Sequence, residues 1–131
     1  MGGVISSPYI WDKKVYFGCW DNNLYCADAI SGDLLWTLET EWGVDSSPCV
    51  WNGKVYFGCN DKNFYCVDAK SGLVDWTLLM SDRIESSPFI LNGKLYIGCV
   101  DGKLYCIDAS TPRMIGISVP TISGMDTMID E

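Results

Sequence analysis

The chain has 131 residues, 48% of them hydrophobic and 20% charged, enough for one globular core and too few for a large multidomain enzyme. Nine Lys and Arg against seventeen Asp and Glu leave a formal charge of -8, which removes the phosphate attraction that dominates nucleic-acid binding. Histidine is absent, and with it the commonest general base near neutral pH and the commonest nitrogen ligand for metals.

In chain order, Ser6-Ser7-Pro8 returns as Ser46-Ser47-Pro48 and as Ser86-Ser87-Pro88, a period of 40. Val15-Tyr16-Phe17-Gly18-Cys19 falls on Val55 to Cys59 and on Leu95 to Cys99, and Leu24 to Ala29 falls on Phe64 to Ala69 and Leu104 to Ala109. A constant period of this length marks supersecondary units that bury their faces only against one another. Each unit holds four short apolar runs rich in Val, Ile, Tyr, Phe and Trp, which read as strands. In the second unit these are Pro48 to Trp51, Lys54 to Cys59, Phe64 to Asp68 and Val74 to Leu79. Asn52-Gly53, Asn92-Gly93 and Asp101-Gly102 suit two-residue type I′ hairpins, in which both turn positions need positive φ.

Closing the second hairpin on Asp61-Lys62 sets Cys59 opposite Phe64 and Phe57 opposite Cys66. One face then carries Val55, Phe57, Cys59, Phe64 and Cys66, and the other Tyr56, Gly58, Tyr65 and Val67. Both faces are apolar, so each meander is expected to lie between two others, as a propeller blade does. The expected fold is all-β: three four-stranded antiparallel blades over about 6–45, 46–85 and 86–119, with an acidic, frayed tail over 120–131.

The run Val-Tyr-Phe-Gly-Cys-x-Asp-x-x-Leu/Phe-Tyr-Cys-x-Asp-Ala-x-Ser-Gly-x-x-x-Trp resembles the repeat of the pyrroloquinoline quinone (PQQ) β-propellers, the quinoprotein alcohol dehydrogenase-like superfamily, from about Ser6 to Val119. The resemblance implies a propeller, often extracytoplasmic, although residues 1–8 show no signal-peptide pattern. It also implies that Gly32, Trp36, Gly72 and Trp76 pack one blade on the next. For function it leaves two outcomes. Some members are quinone-dependent dehydrogenases that use PQQ, calcium, adjacent cysteines and a catalytic Asp; others are scaffolds or sensors that bind no quinone. This chain has no adjacent cysteines, and no residue matches the calcium or catalytic positions.

Three blades cannot complete a ring of about four to eight, so further blades are expected, from a second copy or from a longer parent chain. The seven cysteines read as small buried hydrophobes; disulfides within the pairs Cys19/Cys26, Cys59/Cys66 and Cys99/Cys106 would need a different register. Asp21, Asp61 and Asp101 at hairpin tips, and Asp28, Asp68 and Asp108 in the Asp-Ala turns, read as caps of turn amides. Trp11, Trp51 and Leu91 are expected to line the axis.

Meander topology gathers the second hairpins and the loops between units on one rim. Eight carboxylates there face only Lys62, Arg83 and Lys103. Trp20 and Trp42 break the repeat and lie on that rim with Glu39, Glu41 and Asp45, a candidate surface for a cationic protein partner. The expected function is a non-catalytic interaction or scaffold module without cofactor or metal. The alternative is a fragment of a PQQ-dependent alcohol dehydrogenase-like enzyme.

Overall fold

A computed structural model describes residues 7–84, 86–111, 113–120 and 126–130, with 117–120 and 126–130 described by backbone alone. The first blade comprises β1 (Tyr9–Trp11), β2 (Lys14–Gly18), β3 (Asn23–Asp28) and β4 (Leu34–Glu39). The second comprises β5 (Cys49–Trp51), β6 (Lys54–Gly58), β7 (Asn63–Asp68) and β8 (Val74–Leu79). The third comprises β9 (Phe89–Leu91), β10 (Lys94–Gly98), β11 (Leu104–Asp108) and β12 (Arg113–Pro120), followed by β13 (Asp126–Asp130). Each sheet is an antiparallel meander in sequence order. Its inner strand meets that of the next blade, β1 against β5 and β5 against β9.

β13 pairs antiparallel with β12, Ile117 opposite Ile129, so the third sheet has five strands rather than the expected four. The acidic stretch expected to fray thus supplies a strand, because the long edge of β12 offers unpaired backbone groups.

The first hairpins have the expected geometry. Both central residues take positive φ at Asn52-Gly53 (53° and 74°) and Asn92-Gly93 (53° and 74°), and in the first blade Asp12-Lys13 does so without glycine (52° and 60°). The second hairpins differ from expectation by one residue. The Cys59 amide donates to the Asn63 carbonyl (3.1 Å) and only Lys62, at φ 75°, is left-handed, which makes Asn60-Asp61-Lys62 a three-residue turn. Gly102, not the Asp101-Gly102 pair, takes that position in the third blade (φ 87°). The aspartate favours the longer turn: one Asp61 oxygen accepts the Asn63 amide (2.9 Å) and the other accepts the Tyr65 hydroxyl.

That residue shifts the register to Tyr56↔Cys66, Phe57↔Tyr65 and Gly58↔Phe64, and a one-residue shift exchanges faces. Val55, Phe57, Cys59, Tyr65 and Val67 pack with Tyr16, Leu24 and Cys26 of the first blade. Tyr56, Phe64 and Cys66 pack with Leu95, Ile97, Tyr105 and Ile107 of the third. Cys59 and Cys66 therefore lie on opposite faces rather than on the shared face expected, and none of the seven cysteines is in a disulfide.

The middle blade is buried on both sides. Glycines allow the loops between blades to cross it closely: a Cβ on Gly58 would stand 2.2 Å from the Ile84 side chain, and one on Gly18 2.5 Å from Val44. Trp11 and Trp51, at the ends of the inner strands, are half-buried and pack against the two interblade clusters, and Leu91 is exposed.

Candidate partner surface

Backbone bonds define the two rims. On one, the loop between blades meets the second hairpin: Thr40 donates to the Asn22 carbonyl (2.6 Å), Asn60 to Gly43 (3.1 Å), Met80 to Lys62 (2.8 Å) and Val100 to Arg83 (3.1 Å). On the other, the Asp-Ala turn meets the first hairpin, as Ala69 donates to Gly53 (3.1 Å) and Ala109 to Gly93 (2.9 Å).

The aspartates of the second rim cap their turns. Asp68 Oδ2 accepts the Ser71 amide (2.9 Å), the Ser71 hydroxyl (2.9 Å) and the Lys70 amide (3.2 Å), and these bonds, led by the Ser71 amide, hold its carboxyl below the usual carboxylate range. Asp28 and Asp108 make the same turn bonds. At the hairpin tips of the first rim, burial works to raise the Asp21 and Asp101 carboxyls. Hydrogen bonds outweigh it, chiefly from Tyr25 to Asp21 and from Ser81 and Tyr105 to Asp101, and both are lowered. These carboxylates are committed to the fold.

The four packing positions split between blades. The Trp36 indole N–H donates to the Ala69 carbonyl of the next blade (3.1 Å), and its ring occupies the space above Gly72, where a Cβ would stand 2.5 Å away. Trp76 tilts against Tyr56 and Phe64 inside the cluster shared with the third blade. Gly32 faces no blade, and a Cβ there would meet nothing within 4 Å.

The five rim residues form two different environments. Asp45 is held on both oxygens, accepting the Trp20 indole N–H at 2.7 Å and the Asn60 side-chain Nδ2–H at 3.0 Å. It fixes an indole that remains 60% exposed. Glu39 and Glu41 line a cleft of about 470 Å³ with Asn22, Thr40 and Tyr65. Trp42, 64% exposed, lines a neighbouring cleft of about 460 Å³ with Asn60, Lys62 and Arg83. Asn60 Oδ1 is the one buried side-chain polar atom among the described residues without a hydrogen-bond partner.

The structure thus groups Trp42 with two cations rather than with the carboxylates beside it in sequence. Sequence reasoning missed this basic cleft, because summing charge over a whole rim hides Lys62 and Arg83, which lie 21 positions apart and meet only through the fold.

Among the described residues no three of Cys, Asp and Glu stand close enough to hold a metal ion.

The period, the meanders and the interblade tryptophan place the chain among PQQ-repeat propellers. The family model described as outer membrane protein assembly factor BamB matches residues 1–119, and the chain belongs to that family. The chain is similar to the quinohemoprotein alcohol dehydrogenase ADHIIG of Pseudomonas putida HK5, with 26% identity and a TM-score of 0.79 over 87% of this chain and 20% of that one. Its fold is shared with BamB from Moraxella catarrhalis (20% identity, TM-score 0.80, 92% of this chain and 38% of that one). It is shared too with the quinohemoprotein alcohol dehydrogenase of Comamonas testosteroni (23% identity, TM-score 0.77, 95% and 22%). The chain therefore spans less than two fifths of each of these structures. A comparison with curated proteins finds no match.

Proposed function

We propose that this chain is a non-catalytic propeller module that binds another protein across the rim bearing Trp20 and Trp42. The observation that carries this reading is the pair of adjoining clefts of opposite charge, Glu39 and Glu41 in one and Lys62 and Arg83 with the exposed Trp42 in the other. Such a pair suits an extended segment that places a Lys or Arg against the carboxylates and an acidic group against the basic cleft, with an apolar side chain on the indole. The family's description as an assembly factor supports protein binding in general.

Titration of a fluorescent Lys/Arg-containing peptide, against a copy with those residues changed to Glu, tests the reading. Tighter, salt-sensitive binding of the basic peptide is expected. Glu39→Lys and Glu41→Lys should each weaken it by about 0.2–1 kcal/mol, the range for exposed ion pairs. Equal binding of both peptides, or no effect of the two substitutions, refutes it.

A second reading, part of a quinone-dependent dehydrogenase, is favoured by the 26% identity to ADHIIG. Stoichiometric uptake of PQQ with calcium, read by absorbance, would replace the first reading with the second.

A further inference from the structure

We propose that Thr40 is a positioning residue of the partner surface: its hydroxyl locks the loop that carries Trp42, so that the indole meets a partner already in place. The proposal rests on the reading of the rim as a protein-binding surface and names what makes that surface pre-formed. The loop over 40–45 lies between the first and second blades and is held from both. Thr40 Oγ1 stands 2.6 Å from the Trp42 carbonyl oxygen and 2.9 Å from that of Asn22. A hydroxyl has one proton to give. The Asn22 carbonyl already accepts the Thr40 amide (2.6 Å), so the hydroxyl proton goes to Trp42, its nearer acceptor. The second lone pair of the Trp42 carbonyl takes the Cys59 thiol of the middle blade (3.3 Å). The residues that follow are fixed as well: the Gly43 carbonyl accepts the Asn60 amide (3.1 Å), the Val44 amide donates to the Cys19 carbonyl (3.2 Å), and the Val44 side chain is fully buried. From this framework the Trp42 indole projects, 64% exposed.

The next loop shows that the fold itself does not require the hydroxyl. Met80, 40 residues on from Thr40, is buried like it, and its amide makes the equivalent bond to the hairpin, at Lys62 (2.8 Å). Met80 has no proton to donate, so the Asp82 carbonyl keeps the Cys99 thiol (3.3 Å) without a counterpart to Thr40. Thr40, Trp42 and Gly43 thus depart together from Met80, Asp82 and Arg83, whereas the position that packs under the blade stays apolar and fully buried, Val44 in one loop and Ile84 in the other. A buried hydroxyl is unfavourable unless bonded, and here its bond leads to the backbone of an exposed indole. Gly43 serves the same surface: a Cβ there would stand 3.3 Å from Trp20 Cδ1, so its absence leaves room for the ring that Asp45 holds. Immobilising a large side chain on binding weakens affinity, and an aromatic anchor fixed before contact avoids that loss. The departures from the repeat fall where they serve a partner, not where they serve blade packing.

Three variants of the 131-residue chain test the proposal: Thr40→Val, which keeps the shape and removes the hydroxyl; Thr40→Met, which copies the second unit; and Thr40→Ser, which restores the donor. In the free protein the heteronuclear Overhauser effect of the Trp42 indole N–H is expected to report a rigid ring in wild type and Thr40→Ser and a mobile one in Thr40→Val and Thr40→Met, with the Trp20 indole unchanged. Titration with the fluorescent Lys/Arg-containing peptide is expected to give a Kd about 3- to 10-fold higher for Thr40→Val and Thr40→Met, the range for fixing one side chain on binding. The salt dependence should stay that of wild type, because no charge changes. In a Trp42→Ala background Thr40→Met should raise the Kd no further, since it acts through the indole. Circular dichroism checks that each variant is folded; Thr40→Met carries the test if Thr40→Val does not fold, since Met80 fills the same site in the next unit. An indole as rigid without the hydroxyl as with it overturns the proposal, as does a Thr40→Ser variant that restores neither rigidity nor binding. A wild type that binds the basic peptide no better than its Glu copy overturns the reading of the rim and the proposal with it. A wild type that prefers the basic peptide but is matched in affinity by Thr40→Met overturns the proposal alone.

Discussion

Gly32 and Gly72 occupy the same place in successive blades, at φ 79° and 77°, yet only Gly72 lies under a tryptophan of the preceding blade. Substituting alanine at each separates backbone strain from interblade packing. At either position a Cβ forces an L-residue into left-handed space, a cost of about 1–2 kcal/mol. Gly32→Ala should cost only that, since nothing lies within 4 Å of the added carbon. At Gly72 the Cβ would stand 2.5 Å from Trp36 Cδ2 and 2.6 Å from Cε3, so the indole must shift. Overpacking of this kind adds about 1–3 kcal/mol, and shifting the ring also strains the Trp36 N–H bond to the Ala69 carbonyl. Gly72→Ala is therefore expected to cost about 2–5 kcal/mol against about 1–2 for Gly32→Ala. Urea unfolding followed by circular dichroism at 218 nm, about the β-sheet minimum, reads both values through the shift in midpoint at constant m. In a Trp36→Ala background the Gly72→Ala cost should fall to that of Gly32→Ala, the coupling expected of groups in contact. Equal costs in the wild-type background would refute the packing argument.

Tyr56→Phe removes the hydroxyl that satisfies the Ala109 carbonyl and should cost about 1–3 kcal/mol by urea titration. Burial pushes the Cys59 and Cys66 thiols up to about 11 and Cys49 to about 12, which favours their neutral form. Alkylation of the native protein at pH 8 should accordingly be slow at these three and accelerate toward pH 11, while denaturant should release seven titratable thiols; fewer than seven would reveal disulfides. Asp68 has a folded-state pKa below its unfolded value, so its contribution is present at neutral pH and is lost as pH falls below about 3.9 through the lowered value. Asp68→Ala should lower the urea midpoint at pH 7 and show a smaller drop between pH 6 and pH 3 than wild type; an identical drop contradicts the capping role.

Strand order, blade number and the type I′ turns were legible because each rests on local chemistry: a period of 40, β-rich runs and Asn-Gly pairs. The face assignment was not, because it turned on one residue. Asp61 reads equally well as the first residue of a two-residue turn or the middle of a three-residue one, and only its bonds to the Asn63 amide and the Tyr65 hydroxyl select the longer turn. The Asp-x-x-x-Tyr spacing, present at Asp21/Tyr25, Asp61/Tyr65 and Asp101/Tyr105, was the available signal. Of the rim, sequence singled out Trp20 and Trp42 as departures from the repeat, and Glu39, Glu41 and Asp45 through the excess of acid there. The bond from Trp20 to Asp45, and the partnership of Trp42 with Lys62 and Arg83, join residues from different strands and turns and arise only when the blades stack.

The account stands on blades that bury their faces against one another through repeated contacts. The nuclear Overhauser spectrum of the chain reads this directly. Strong cross-peaks are expected from the Trp36 ring to the Gly72 α protons of the next blade. A spectrum in which the Trp36 ring shows contacts within its own repeat alone, and none to Gly72, would contradict the stacked arrangement and the rim built upon it.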